Sequence, residues 1–111
     1  MESRQNRLLD RVLLLAEANL GNPRFNVDEL AAGLYLSRRQ LLRRTAAFGE
    51  KPGNLLRRLR LERAARLLRD GASVKRAAAA TGFRSPSHFS LVFREAYGAP
   101  PSLYSEGWAA G

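Results

Sequence analysis

Two arginines one helical turn apart, Arg39 and Arg43, carry the spacing that most plainly permits chemistry. An arginine guanidinium is a planar fork that can bond O6 and N7 of a guanine together, which typically contributes about 1–3 kcal/mol of discrimination between bases. Arg39, Leu42, Arg43 and Ala46 recur at i, i+3, i+4 and i+7, so they share one face of a helix. Leu42, between the arginines, suits the methyl group of a thymine. A second outward set, Ser87, Ser90, Leu91 and Arg94, lies nearer the end of the chain. Serine hydroxyls bond to several bases and discriminate weakly, so this set is expected to position more than to read. The start of its helix, Ser85 to Ser87, offers free N–H groups that suit a phosphate. Leu91 reads equally as a thymine contact or as a core or partner residue. His88 is the single histidine and has no second ligand near it in sequence, so it reads as a partly buried or phosphate-facing side chain and not as a metal ligand. With Arg38 at the start of the helix that carries Arg39 and Arg43, these residues are the candidate nucleic-acid-binding set.

Other chemistries find little support. The chain of 111 residues has no cysteine, one histidine, no phosphate-cradling glycine loop and acids that stand singly, so no catalytic residue, metal site or cofactor is expected. The net charge is +9, and its distribution is uneven. Residues 1–36 carry four arginines against five acids, residues 37–70 eleven basic residues against three acids, and residues 71–111 four against two. Positive charge focused on the middle third points to a polyanion partner. No targeting segment is evident: the apolar run at Val12 to Ala16 is too short to span a membrane and is flanked by Asp10 and Glu17. The absence of cysteine suits a reducing cytoplasm.

Positioning those residues requires helices, and the pattern predicts an all-α chain of about seven. A first helix runs from about Ser3 to Leu20, with Leu8, Leu9, Val12, Leu13, Leu15, Ala16 and Leu20 as a broad apolar face. Gly21 and Pro23 end it. A short second helix, Val27 to Leu34, turns Leu30, Ala31 and Leu34 inward. After a turn at Tyr35 and Leu36, Ser37 caps a third helix that extends to about Phe48, and Gly49 stops it. Residues 53–71 read as one long helix, with Pro52 just before it and Gly71 just after. Leu55, Leu56, Leu59, Ala64, Leu67 and Leu68 form its stripe, and its length is roughly 25 Å. Its arginines are expected to be mostly structural, pairing with Glu62, Asp70 or acids of the first helix. The plan then repeats. Ser73 caps a helix from Val74 to Thr81, Gly82 and Phe83 make the turn, and Ser85 with Pro86 opens a sixth helix to about Tyr97. Phe89, Val92, Phe93, Ala96 and Tyr97 are placed inward, Gly98 ends the helix, and a short seventh runs from Ser102 to Glu106. The resulting division is a first helix-turn-helix unit over residues 1–52, a central linker helix over 53–71, a second unit over 72–107 and a tail over 108–111. In such units the second helix of each pair enters the DNA major groove.

Leu30, Ala31, Leu36, Ser37, Leu41 and Arg43, the run Arg60, Leu61, Glu62, Arg63 and Ala64, then Leu67, Leu68, Ala78, Gly82, Phe83, Ser87, Phe89, Phe93, Gly98, Pro101 and Tyr104 together resemble the DNA-binding domain of the AraC/XylS family of bacterial transcription regulators. The resemblance covers nearly the whole chain. It implies two homeodomain-like helix-turn-helix units joined by one long helix, double-stranded DNA as partner, and base reading by the third and sixth helices in adjacent major-groove segments. RNA polymerase is a further expected partner if the protein activates, and dimerisation is expected to use regions outside this chain. The wording from Asn19 through Arg43 is similar to the branch in which this domain is the C-terminal output module of a two-component or hybrid sensor-kinase protein.

Four features depart from the family pattern: Thr45 in place of an apolar residue, Tyr35 where the second unit has Gly82, a stretch at Ala46 to Gly49 one residue short of its repeat, and Leu91 in place of a polar reader. If the turn needs φ > 0, Tyr35 costs on the order of 1 kcal/mol. The competing reading is a helical protein-interaction or RNA-binding module. Phe83, Phe89, Phe93 and Tyr97 are expected inside, which leaves few aromatic platforms for RNA bases.

Overall fold

A computed structural model describes residues 4–105, with side chains from residue 7 onward. The described residues form seven α-helices and no strand: α1 (Arg4–Asn19), α2 (Val27–Gly33), α3 (Arg38–Thr45), α4 (Pro52–Arg69), α5 (Val74–Ala80), α6 (Pro86–Tyr97) and α7 (Pro101–Ser105). The expected all-helical architecture is therefore present. A 3-10 turn, Ala46–Phe48, follows α3, so the third α-helix is shorter than its apolar pattern suggests. Gly49, at φ 77°, then ends the segment. The tail and the last residue expected in α7, Glu106, lie outside the described residues.

The chain divides into two compact units, and α4 contributes to both. One is built from α1, α2, α3, the 3-10 turn and α4 as far as Leu59. Its core holds Leu8, Val12 and Ala16 of α1, Leu20 just after it, Leu30 and Ala31 of α2, Leu41 of α3, and Leu55, Leu56 and Leu59. Gly33 permits α2 to lie close to α1: a Cβ there would come within 2.5 Å of a Leu15 methyl. The other unit contains Gly21–Pro23, α4 from Arg60 onward, and α5 to α7. Its core is formed by Leu61, Ala64, Ala65, Leu68, Ala77, Ala78, Phe89, Val92, Phe93 and Tyr104. A chain of tilted and edge-on rings links Phe83, Phe89, Phe93, Tyr97 and Tyr104, with neighbouring centroids 4.6–5.5 Å apart. These rings are committed to packing.

Two sequence expectations about burial are corrected. Leu61 and Ala65, left out of the stripe of the long helix, are buried. One helix that serves two cores needs two stripes, and a search for a single stripe finds only part of each. Ala96, expected inside, is exposed, because Phe93 and Tyr97 already close the α6 side of the core. Pro52 is the first residue of α4 and not its forerunner, with the Lys51 carbonyl accepting the Leu55 N–H at 2.9 Å.

Capping fixes where the short helices begin. Ser37 Oγ accepts the Gln40 N–H at 3.1 Å while the Gln40 side chain accepts the Ser37 N–H at 2.8 Å, a reciprocal capping box. Ser73 and Ser85 cap α5 and α6 in the same sense, with Pro86 at the first helical position. Asn26, not singled out from the sequence, caps α2 by accepting the Glu29 N–H at 3.0 Å.

Both helix-turn-helix turns use one hydrogen-bond pattern. The Leu36 N–H bonds the Ala31 carbonyl and the Tyr35 N–H the Ala32 carbonyl; in the second unit Phe83 bonds Ala78 and Gly82 bonds Ala79. These are paired bonds of the Schellman type, which require φ > 0 at the penultimate residue. Gly82 has φ 82° and Tyr35 has φ 60°. The tyrosine thus occupies the strained position that the sequence suggested.

Candidate nucleic-acid interface

The capping box at Ser37 sets the phase of α3 and hence what its outer face presents. Arg38, Arg39, Leu42, Arg43 and Arg44 are all exposed, while Leu41 and Thr45 turn inward. Arg38 donates to Asp28 at 3.1 Å, an exposed pair of the kind that contributes only about 0–1 kcal/mol. Among the described residues no ion pair holds Arg39 or Arg43. Their forks lie one turn apart on a helix with a fixed start, and each can reach outward to an anion or a base edge. Leu42 is 41% exposed between them.

A shallow groove beside this face is lined by Arg38, Leu42, Thr45, Gly49, Glu50 and Lys51, among others. Lys51 was not singled out from the sequence; its signal was a lysine placed directly before the proline that opens α4. Thr45 is buried, at 3% exposure, and its hydroxyl donates to the Leu41 carbonyl at 2.8 Å. The polar residue in the apolar position is thereby satisfied within its own helix.

On α6, Ser87, His88, Leu91 and Arg94 are exposed, whereas Ser90, expected to face outward, is half-buried, as is the capping Ser85 just before the helix. Ser85 Oγ accepts the His88 N–H at 3.3 Å, so this hydroxyl is already engaged in capping. The His88 ring centroid lies 6.3 Å from that of Phe83. No group of three or more His, Cys, Asp or Glu able to hold a metal ion occurs among the described residues.

The arginines of α4 divide into distinct roles. The Arg58 guanidinium donates through Nε and NH2 to Glu50, with a shortest contact of 2.9 Å. That hydrogen bond, reinforced by the charge of Arg58, holds the Glu50 carboxyl below its usual pKa. Glu50 was not among the acids expected to serve here. Arg60 donates to the carbonyls of Gly82 at 3.3 Å and of Asn22 at 3.2 Å. Its partial burial pushes its pKa down. Arg60 therefore holds the left-handed turn before α6 to the segment that follows α1, a positioning role the sequence reading did not anticipate. Arg69 lies over the Tyr104 ring, 5.2 Å from its centroid. No helix among the described residues is long and apolar enough to cross a membrane.

Comparison with known proteins places this geometry. A helix-turn-helix domain family model matches residues 30–107. The HTH-type transcriptional regulator GbdR of Pseudomonas aeruginosa is 38% identical over 105 residues, covering 93% of this chain and 28% of that protein. The chain thus spans well under half the length of this curated relative. Histidine kinase P4 of Formosa agariphila is 28% identical over 98% of this chain, which corresponds to 8% of that protein. Among solved structures, the DNA-binding domain of AdpA in complex with a target DNA superposes with a TM-score of 0.81 at 36% identity, covering 92% of this chain and 93% of that one. A transcriptional regulator from Chromobacterium violaceum, described as an AraC-type DNA-binding domain-containing protein, superposes with a TM-score of 0.79 at 32% identity, covering 91% of each chain.

Proposed function

This chain belongs to the AraC-type helix-turn-helix family, and on that premise we propose that it binds double-stranded DNA sequence-specifically as the DNA-binding part of a bacterial transcription regulator. The observation that carries this reading is the outer face of α3, where Arg39 and Arg43 stand exposed on a helix whose start is fixed by the Ser37 capping box. Arg39 and Arg43 read guanine edges, Leu42 meets an apolar base feature, and Arg38 contacts the backbone. On α6, Ser85, Ser87, His88 and Arg94 position the helix on phosphates, and Ser90 and Leu91 face the bases. The two helices enter adjacent major-groove segments of one duplex. This is a binding role and not an enzymatic one, exercised in the cytoplasm. The match to a histidine kinase of a segment as long as this chain supports use as an output module in two-component signalling. RNA polymerase, if the protein activates, and a second copy joined through other regions of a longer protein are the further partners.

Duplexes selected from a random pool test the proposal by fluorescence anisotropy. Selected duplexes bind more tightly than scrambled ones and than single strands or RNA of the same sequence. With about 6–8 phosphates neutralised, log K falls against log salt with a slope of roughly −5 to −7. Equal affinity for every duplex, or affinity insensitive to salt, overturns the reading. A duplex that keeps only the α3 half-site and binds as well as the full site removes the role of α6.

A further inference from the structure

We propose that α6 reads the 5-methyl group of a thymine through Leu91 and, unlike α3 with Arg39 and Arg43, has no arginine in its first two turns to read a guanine edge. This inference rests on the DNA reading above and adds to it the ligand chemistry of the second unit.

The observed caps supply the register. Ser37 and Ser85 each accept the N–H of the third residue that follows, so positions counted from the two serines correspond. Arg39 then corresponds to Ser87, and Arg43 to Leu91. Where α3 carries a guanidinium fork, α6 carries a hydroxyl and an isobutyl group. The outer face of its first two turns therefore holds no side chain able to bond guanine in a bidentate manner, and Arg94 stands in the last turn. Selectivity from α6 needs another feature of the groove, and the thymine methyl is the one that an apolar side chain detects there.

The structure also removes the reading of Leu91 as core. It is 56% exposed, whereas Phe89, Val92 and Phe93 on the same helix fill the interior. Its neighbours along the helix are Ser87 and His88 one turn before and Arg94 and Glu95 one turn after, all exposed. A single leucine framed by a hydroxyl, an imidazole, a guanidinium and a carboxylate is not the apolar patch a protein partner would cover. It matches a methyl group flanked by polar base edges and phosphates. The segment that carries α6, residues 71–111, is itself net positive, four basic residues against two acids, which favours the same polyanionic occupant.

Replacing each thymine of a selected duplex singly by deoxyuridine deletes only the methyl group. At one position in the α6 half-site the wild-type protein should bind about three- to fivefold more weakly, the effect of losing one buried methyl. At that position Leu91→Ala should bind thymine and uracil duplexes alike, while any thymine read by Leu42 in the α3 half-site keeps its difference, and because Leu91 is exposed the variant should melt at the wild-type temperature. Arg43→Ala should keep the difference between thymine and uracil. Leu91→Arg should move the preference at that position from thymine toward guanine. Equal wild-type binding to every uracil duplex overturns the inference while leaving selective DNA binding intact. So does discrimination that survives in Leu91→Ala, which would assign the methyl to another side chain, or a Leu91→Ala protein that binds every duplex as the wild type does, which would leave Leu91 to a protein partner. Failure of the parent reading appears differently, as a protein that selects no duplex at all.

Discussion

Replacing Tyr35 by glycine should stabilise the protein. Tyr35 has φ 60° at the position where the second turn has Gly82 at φ 82°. A side chain in this left-handed region costs about 1–2 kcal/mol through the clash of its Cβ with the following carbonyl. Glycine removes that clash but loses more freedom on folding, which offsets about 0.4–1 kcal/mol. The phenol ring has little packing to give up, since Tyr35 is 91% exposed. The bonds that define the turn come from main-chain atoms, the Tyr35 N–H to the Ala32 carbonyl at 3.0 Å and the Leu36 N–H to the Ala31 carbonyl at 2.9 Å, and both persist in Tyr35→Gly. The net gain is about 1 kcal/mol, which for a unit of this size raises the melting temperature by about 4–8 °C. Thermal unfolding followed by far-UV circular dichroism measures it. Tyr35→Ala removes the ring but keeps the Cβ and should gain nothing, and Gly82→Ala, with the same entropic offset, should lose about 1 kcal/mol. A Tyr35→Gly protein that melts at or below the wild-type temperature refutes the argument, because the ring would then contribute more than the backbone strain costs.

Three further outcomes are expected. Arg43→Ala should weaken binding by about 1–3 kcal/mol and relax preference at one base position, whereas Arg44→Ala should weaken all duplexes about equally or little; equal and sequence-independent losses for both would show that the face of α3 has been misassigned. Glu50→Gln should lower stability slightly at neutral pH. The Glu50 pKa is depressed in the folded protein, so its pairing with Arg58 is fully present above the unfolded carboxylate pKa and is lost as pH falls through the lower folded value. The difference between Glu50→Gln and wild type in urea melts should therefore vanish in acid, and a difference that grows there contradicts the assignment. Arg60→Ala leaves the Gly82 and Asn22 carbonyls without this donor and should cost about 1–3 kcal/mol, with Arg60→Lys recovering part of the loss.

Local chemistry was legible in the sequence, and shared elements were not. α6 was expected from Ser85 and Pro86 to Tyr97, with Gly98 as its stop, and the structure has these bounds because cap and stop are decided by neighbouring residues. Aligning the two turns sets Tyr35 opposite Gly82 and makes strain there conditional on a positive φ, a condition that Tyr35 meets at 60°. The 3-10 turn over Ala46–Phe48 was not, since a tightened turn and an α-helical one bury the same apolar residues over so short a stretch. In the site, the outward phase of Arg39, Leu42 and Arg43 followed from periodicity and appears in the exposure of all three. The partner Asn22 is not legible because it lies 38 residues from Arg60, and Glu50, eight residues from Arg58, is not legible because it sits in the loop before α4, where no helical spacing pairs the two. Lys51 was hidden because charge on a loop has no periodicity to phase it.

The turn that joins each pair of helices has a consequence for how this protein can change over generations. It asks little of side chains: a small residue at Ala31 or Ala78, each buried, and a backbone that accepts positive φ one residue before Leu36 or Phe83. The outward residues of α3 and α6 take no part in it. Scaffold and outer face are therefore held by nearly separate sets of positions, and if Arg43 and Leu91 read DNA as proposed, a substitution at either redirects recognition without first having to survive a loss of folding. Drift at the outer face is cheap, drift at the alanines is not, and the two recognition helices are free to diverge from each other while their turns stay alike.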